Sequence, residues 1–113
     1  MNQNEIWLIN LDPTIGAEIK KIRPAIIVSD NALGKLPLKI IVPITDWKET
    51  YAIAPWMVKI LPDENNGLSK NSAADCFQVR SVSKVRFVRK IRVIDLATIE
   101  KIKSSLSKVL SIW

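Results

Sequence analysis

The segment Glu18-Ile19-Lys20-Lys21-Ile22-Arg23-Pro24 places a carboxylate, two ammoniums and a guanidinium between two apolar runs. A cluster of this kind in a loop between strands either meets an anionic ligand or merely solvates the loop, and the residue types alone allow both. Arg23 has a firmer setting, because Pro24 holds its backbone extended and an apolar strand begins there, a rigid mounting for a guanidinium. Thr45 and Asp46 close the β-branched run Lys39 to Ile44. A hydroxyl at a strand end binds a phosphate oxygen or serves the turn. Trp47, Tyr51 and Trp56 follow closely, as stacking surfaces for bases or as packing for a core or interface. Between Arg80 and Arg92 lie six cations (Arg80, Lys84, Arg86, Arg89, Lys90, Arg92) and no acid. Strand alternation puts Arg86, Lys90 and Arg92 on one face with Val88, which suits a phosphate backbone and equally suits a charged edge strand guarded against aggregation.

Other chemistry is excluded by what the chain lacks. Its 113 residues contain no histidine, which removes the commonest general base near neutral pH and the commonest metal ligand. The glycines, Gly16, Gly34 and Gly67, are isolated, so there is no phosphate-cradling glycine loop. Serine has no histidine partner, carboxylates are scattered, and the lone Cys76 can form neither an internal disulfide nor a thiolate zinc site. No metal and no cofactor are expected. Cys76 in its apolar run reads as a buried, reduced thiol, hence a cytoplasmic protein. No window reaches the ~18 apolar residues of a membrane span, and the N-terminus has neither a basic region nor a long apolar stretch. Seventeen Lys and Arg against eleven Asp and Glu leave a net charge of +6. Residues 1–113 are expected to be a single domain and a complete small protein.

The elements that must carry these residues are short. Glu5 to Ile9 and Ala25 to Val28 read as a hairpin joined by a long loop containing Asp12-Pro13-Thr14-Ile15-Gly16. Ser29 to Ala32 caps a helical turn that Gly34 and Pro37 end, and Lys39 to Ile44 is a buried strand that Pro43 puts near an edge or a bulge. Trp56 to Ile60 alternates as a half-buried strand, Asn65-Asn66-Gly67 makes a turn, and Ala73 to Val79 and Phe87 to Ile94 give two further strands. From Asp95, a plausible N-cap, the period becomes helical through Leu96, Ile99, Ile102, Leu106, Val109, Leu110 and Trp113. Five or six closely spaced strands predict a mainly β (α+β) fold, a small antiparallel barrel with a C-terminal amphipathic helix.

The run from Glu5 to Glu18 (Glu5-Ile6-Trp7, then Leu11-Asp12-Pro13-Thr14, Gly16 and Glu18), with Lys21-Ile22-Arg23-Pro24-Ala25, closely resembles the opening of the MazF/PemK family of toxin endoribonucleases. The likeness continues through Val42-Pro43-Ile44-Thr45, Asp75-Cys76-Phe77-Gln78-Val79-Arg80-Ser81-Val82 and the closing helix, and so covers essentially the whole chain. It implies an SH3-like barrel, a homodimer, metal-independent, sequence-specific cleavage of single-stranded RNA, and a cognate antitoxin with an acidic tail as regulator. The family's catalytic arginine falls on Arg23 and its strand-end threonine on Thr45. On this basis the ribose 2′-OH attacks the adjacent phosphate, Arg23 grips that phosphate, Thr45 donates to one of its oxygens, and Glu18 is the candidate base or base-orienting group. Lys20, Lys21, Gln78 and Arg80 are expected to bind flanking nucleotides.

Two departures separate the chain from some relatives. Ala17 stands where some have a histidine, and Asp75-Cys76-Phe77 stands where some have Arg-Cys-Asp, so acid–base roles at those positions do not transfer. A gyrase-inhibiting protein of the CcdB type and a catalytically inactive RNA-binding barrel are the alternatives on the same fold.

Overall fold

A computed structural model describes residues 1–112. Seven strands and one helix follow in order: β1 (Glu5–Asn10), β2 (Ile22–Ile27), β3 (Leu38–Asp46), β4 (Met57–Ile60), β5 (Ser72–Asp75), β6 (Arg80–Ser83), β7 (Phe87–Val93) and α1 (Leu96–Leu110). All pairings are antiparallel, and the sheet runs β4-β5-β3-β2-β1-β7 with β6 also on β3. The mainly β architecture with a closing helix is as expected, and the sheet is not closed, with β4 and β7 at its two ends.

The apolar run of β2 is explained by burial on both faces. Ile26 joins Ile6, Val42, Ile44, Val58 and Ile60 beneath α1, while Ala25 and Ile27 join Ile9, Leu11, Ile41 and Val82 on the opposite side. A strand covered on both faces loses polar alternation. In α1, Asp95 caps the helix by accepting the Thr98 N–H at 3.1 Å, and Ile99 and Ile102 are buried. Leu96 and Leu110, assigned by period to the inward face, are exposed. The helix packs on β4 and on the turn after β5, with Leu106 and Val109 also against the core. Trp113 lies outside the described residues.

The strand expected over Ala73 to Val79 is broken. β5 ends at Asp75, a 3-10 turn occupies Cys76–Gln78, and β6 starts at Arg80. Asp75 caps this turn by accepting the Phe77 N–H at 3.1 Å. Both halves pair with β3, at Ile44↔Ala74 and Ile41↔Arg80, so the turn bulges out opposite Val42 and Pro43. The bulge anticipated from Pro43 thus lies in the facing strand, and β3 itself has neighbours on both sides. Cys76 is buried, and burial pushes its thiol above the ordinary value.

Of the two readings of residues 86–92, the cationic face loses Arg86 and keeps Lys90 only as a paired charge. Arg86 lies in a 3-10 turn, Lys84–Arg86, and turns back to donate to the Asn10 and Asp12 carbonyls. Lys90 pairs with Glu5 at 3.1 Å. β7 ends the sheet, so charge on it protects an edge.

Candidate active site

β2 and β3 share hydrogen-bonded pairs only from Ile27↔Ile41 to Ala25↔Pro43. Beyond that pair the strands part: β2 stays on β1, with Arg23↔Ile9, and β3 stays on β5, with Thr45↔Ala73. Continued for two residues, the β2–β3 register sets Arg23 and Thr45 opposite each other on either side of this fork. They share the strand face of Ala25, Ile27 and Ile41, the side away from the helix. Alternation within each strand was legible from the residues; the fork that brings the two together depends on pairing.

Arg23 is exposed, and Nε donates to the Lys20 carbonyl at 3.4 Å. Among the described residues its terminal nitrogens have no protein acceptor, so the fork of the guanidinium is open to a ligand. Thr45 is half-buried.

The β1–β2 loop beside the fork is held from its own base and from the second half of the chain. Leu11 N–H donates to the Lys21 carbonyl at 2.9 Å and Lys21 N–H to Asp12 Oδ1 at 3.0 Å, with Lys21 in the left-handed region at φ 68°. Glu18 Oε1 accepts the Ile15 N–H at 2.8 Å. From the far side, Gln78 Oε1 accepts the Ile19 N–H at 2.6 Å and Arg80 Nη1 donates to the Leu11 carbonyl at 3.4 Å. Lys20 and Lys21 sit exposed on the same loop. Of the residues singled out from the sequence, Gln78 and Arg80 hold the loop that carries Glu18, Lys20 and Lys21, while Arg23 and Thr45 sit at the fork and do not line the hollow between that loop and Gln78.

A hollow of about 340 Å³ opens among Glu18, Ile19, Pro43, Gln78 and Arg80. It adjoins a second, of about 360 Å³, lined by Trp56, Asp75, Phe77 and Gln78. Trp56 contacts Phe77 edge-on at 6.1 Å between centroids, whereas Trp47 pairs with Tyr51 at 5.9 Å, so the aromatic cluster expected near Thr45 is split in two.

Asp75 and Arg86 are the positioning residues that sequence reasoning missed. Asp75 Oδ2 accepts from Gln78 Nε2 at 3.2 Å and so orients the amide that holds Ile19. Burial pushes the Asp75 carboxyl above the ordinary carboxylate value, against the hydrogen bonds from Phe77 and Gln78. The available signal was an acid inside an apolar run, just before a turn. Arg86 had none, because its acceptors are backbone carbonyls more than seventy residues away.

No three His, Cys, Asp or Glu side chains converge as a metal site among the described residues, and no described helix is long and apolar enough to cross a membrane. The chain is 28% identical over 119 residues to endoribonuclease MazF9 of Mycobacterium tuberculosis, covering all of this chain and 98% of that protein. It is 27% identical to endoribonuclease PemK of Escherichia coli, over 98% of this chain and 83% of that one. The fold superposes on crystalline MazF from Deinococcus radiodurans with a TM-score of 0.83 at 22% identity, over 98% and 96% of the two chains. A mycobacterial endoribonuclease in complex with its cognate antitoxin gives 0.78 at 18% identity, over 100% and 97%. The family described as PemK-like, MazF-like toxin of type II toxin-antitoxin system matches residues 2–110, and the chain belongs to it.

Proposed function

We propose that this single domain is the toxin of a type II toxin–antitoxin pair and an endoribonuclease that cuts single-stranded RNA at the Arg23–Thr45 fork. What supports this reading is the open guanidinium of Arg23 and the hydroxyl of Thr45, each two residues beyond the last β2–β3 pair, where the two strands part. In-line attack by the 2′-oxygen on the adjacent phosphorus forms a 2′,3′-cyclic phosphate as the P–O5′ bond breaks, and the departing oxygen takes a proton from water to become the 5′-OH, balancing the proton lost by the 2′-OH. The task is positioning and charge stabilisation, which needs neither histidine nor metal. Arg23 spans two phosphate oxygens and neutralises the charge that builds there, while Thr45 donates to one oxygen and fixes its orientation. Glu18, with one carboxylate oxygen committed to Ile15, takes the 2′-OH proton through the other or orients the group that does.

Lys20 and Lys21 hold flanking phosphates. Arg80 serves flanking nucleotides with the donors left over after holding the Leu11 carbonyl, and Gln78, whose two amide donors go to the Asp75 carboxylate and the Ala17 carbonyl, serves them through the second lone pair of its oxygen. The protein acts as a homodimer in the cytoplasm. Its antitoxin brings an acidic tail that neutralises the same cationic loop. The test is cleavage of a random-sequence pool of single-stranded RNA in excess EDTA, with the product ends analysed, followed by a 2′-deoxy substitution at the cut nucleotide of a cleaved sequence. Cyclic phosphate ends and resistance of the deoxy substrate are expected; intact RNA, or cleavage of the deoxy substrate, overturns the reading.

A further inference from the structure

On α1, Lys101, Ser105 and Lys108 fall at helical spacing on one stripe. Ser105 Oγ donates to the Pro55 carbonyl at 2.7 Å and pins that stripe beside β4. On β4, Val58 and Ile60 are buried, so Lys59 points outward by alternation. The three lysines line one hollow of about 320 Å³ between strand and helix. None is in an ion pair among the described residues, and Glu100, the helix's own carboxylate, faces Lys103 at 3.8 Å. Lys59 Nζ lies 4.9 Å from the Trp47 ring centre, and that indole donates to Glu49 Oε1 at 3.1 Å.

This notch is continuous with the candidate active site. Pro55 and Lys108 also line the next hollow, with Trp56 and Phe77. Those two rings line the one after it, with Gln78 and the Asp75 carboxylate that Phe77 N–H and Gln78 already engage. Phe77 is 67% exposed and Trp56 39%, so a path of aromatic faces joins Gln78 to the lysines. Aromatic faces followed by unpaired cations match the alternation of base and phosphate in a single strand.

We propose that Lys59, Lys101 and Lys108 form a phosphate subsite for RNA nucleotides beyond those at the fork. The subsite rests on the RNA reading above. It contributes affinity and salt dependence without touching the reacting phosphate, and it favours long strands over short ones.

The test compares Lys101→Gln/Lys108→Gln with the wild type and with a charge-matched control, Lys35→Gln/Lys103→Gln. For cleavage of a random-sequence single-stranded RNA of about 40 nucleotides, a length well above the ~4–16 nucleotides that one such module spans, KM rises roughly tenfold with kcat unchanged. The slope of log affinity on log salt, by filter binding of the same RNA, falls by about 1.4, at ~0.7 per lost contact. The control moves neither. Unchanged KM and slope in the double variant overturn the subsite, as does a variant that loses binding only to poly-glutamate, which would assign the notch to an acidic protein. If the wild type cleaves no RNA the enzymatic reading fails, and the binding slope alone decides the notch. Should the double variant melt early, the single substitutions serve, each lowering the slope by about 0.7.

Discussion

Arg23 and Thr45 stand on either side of the fork at which β2 and β3 part, each two residues beyond the last shared pair, Ala25 and Pro43. Neither residue needs its neighbour to fold, because Arg23 is held by β1 and Thr45 by β5. Replacing Thr45 by Val keeps strand propensity and removes only the hydroxyl. The expected outcome is a kcat for RNA cleavage lower by ~10- to 100-fold, the worth of one charge-assisted donor, with KM and melting temperature little changed.

Gln78 connects the two halves of the site. Its oxygen holds the Ile19 N–H at 2.6 Å and its nitrogen is oriented by Asp75 at 3.2 Å. Gln78→Ala frees the loop without opening the core. Hydrogen exchange at the Ile19 amide should then accelerate about tenfold, the loss of ~1–2 kcal/mol, while core amides in β3 keep their rates. Asp75→Asn should speed the same amide, since an asparagine amide nitrogen facing Gln78 Nε2 reverses the orientation Gln78 needs. Unaltered exchange in both variants would show that the latch does not hold the loop.

How much of this was legible in the residues differs by element. Hairpin β1–β2, the capped turn after Asp30 and the helix from Asp95 follow from local chemistry, and the structure has them. The break at Cys76–Gln78 leaves one trace in the sequence, the acid Asp75 inside the otherwise mostly apolar run Ala73 to Val79, whose side chain folds onto Phe77 N–H and ends the strand. Arg86 misled alternation for a related reason: one 3-10 turn before β7 shifts it off the strand and toward Asn10. Arg23 and Thr45 were visible as chemistry at strand ends, yet their juxtaposition needs the β2–β3 register, a long-range property that no local pattern carries.

Glu5 sets an acid limit on stability. Burial raises its pKa, but hydrogen bonds from the Asn2 N–H, the Trp7 indole and Lys90 outweigh burial and bring it from 4.5 down to about 2. A carboxyl with a depressed folded-state pKa stabilises the fold above its unfolded value and loses that contribution as pH falls from about 4.5 toward 2. Glu5→Gln should therefore cost about 2–3 kcal/mol at pH 7, with the gap to the wild type closing across that window in denaturant titrations. A constant gap at all pH values would remove the charge from the explanation.

Two glycines with similar backbones should respond differently. Gly16 and Gly67 both have positive φ, 62° and 67°. A Cβ at Gly16 meets nothing within 4 Å, whereas at Gly67 it would lie 2.7 Å from Arg92 Cγ and 3.0 Å from Ile91 Cγ2. Gly16→Ala should cost only the left-handed backbone penalty, ~1 kcal/mol, and Gly67→Ala that plus the displacement of two β7 side chains, ~2 kcal/mol or more. Thermal melts of the two variants check the order.

Arg23 bears the central claim, and single-turnover cleavage of single-stranded RNA by Arg23→Ala tests it most directly. The account predicts a rate at least ~100-fold below the wild type, from loss of the group that neutralises the transition-state phosphate, with the melting temperature unchanged because the side chain is exposed. Cleavage at the wild-type rate by a folded Arg23→Ala would contradict it.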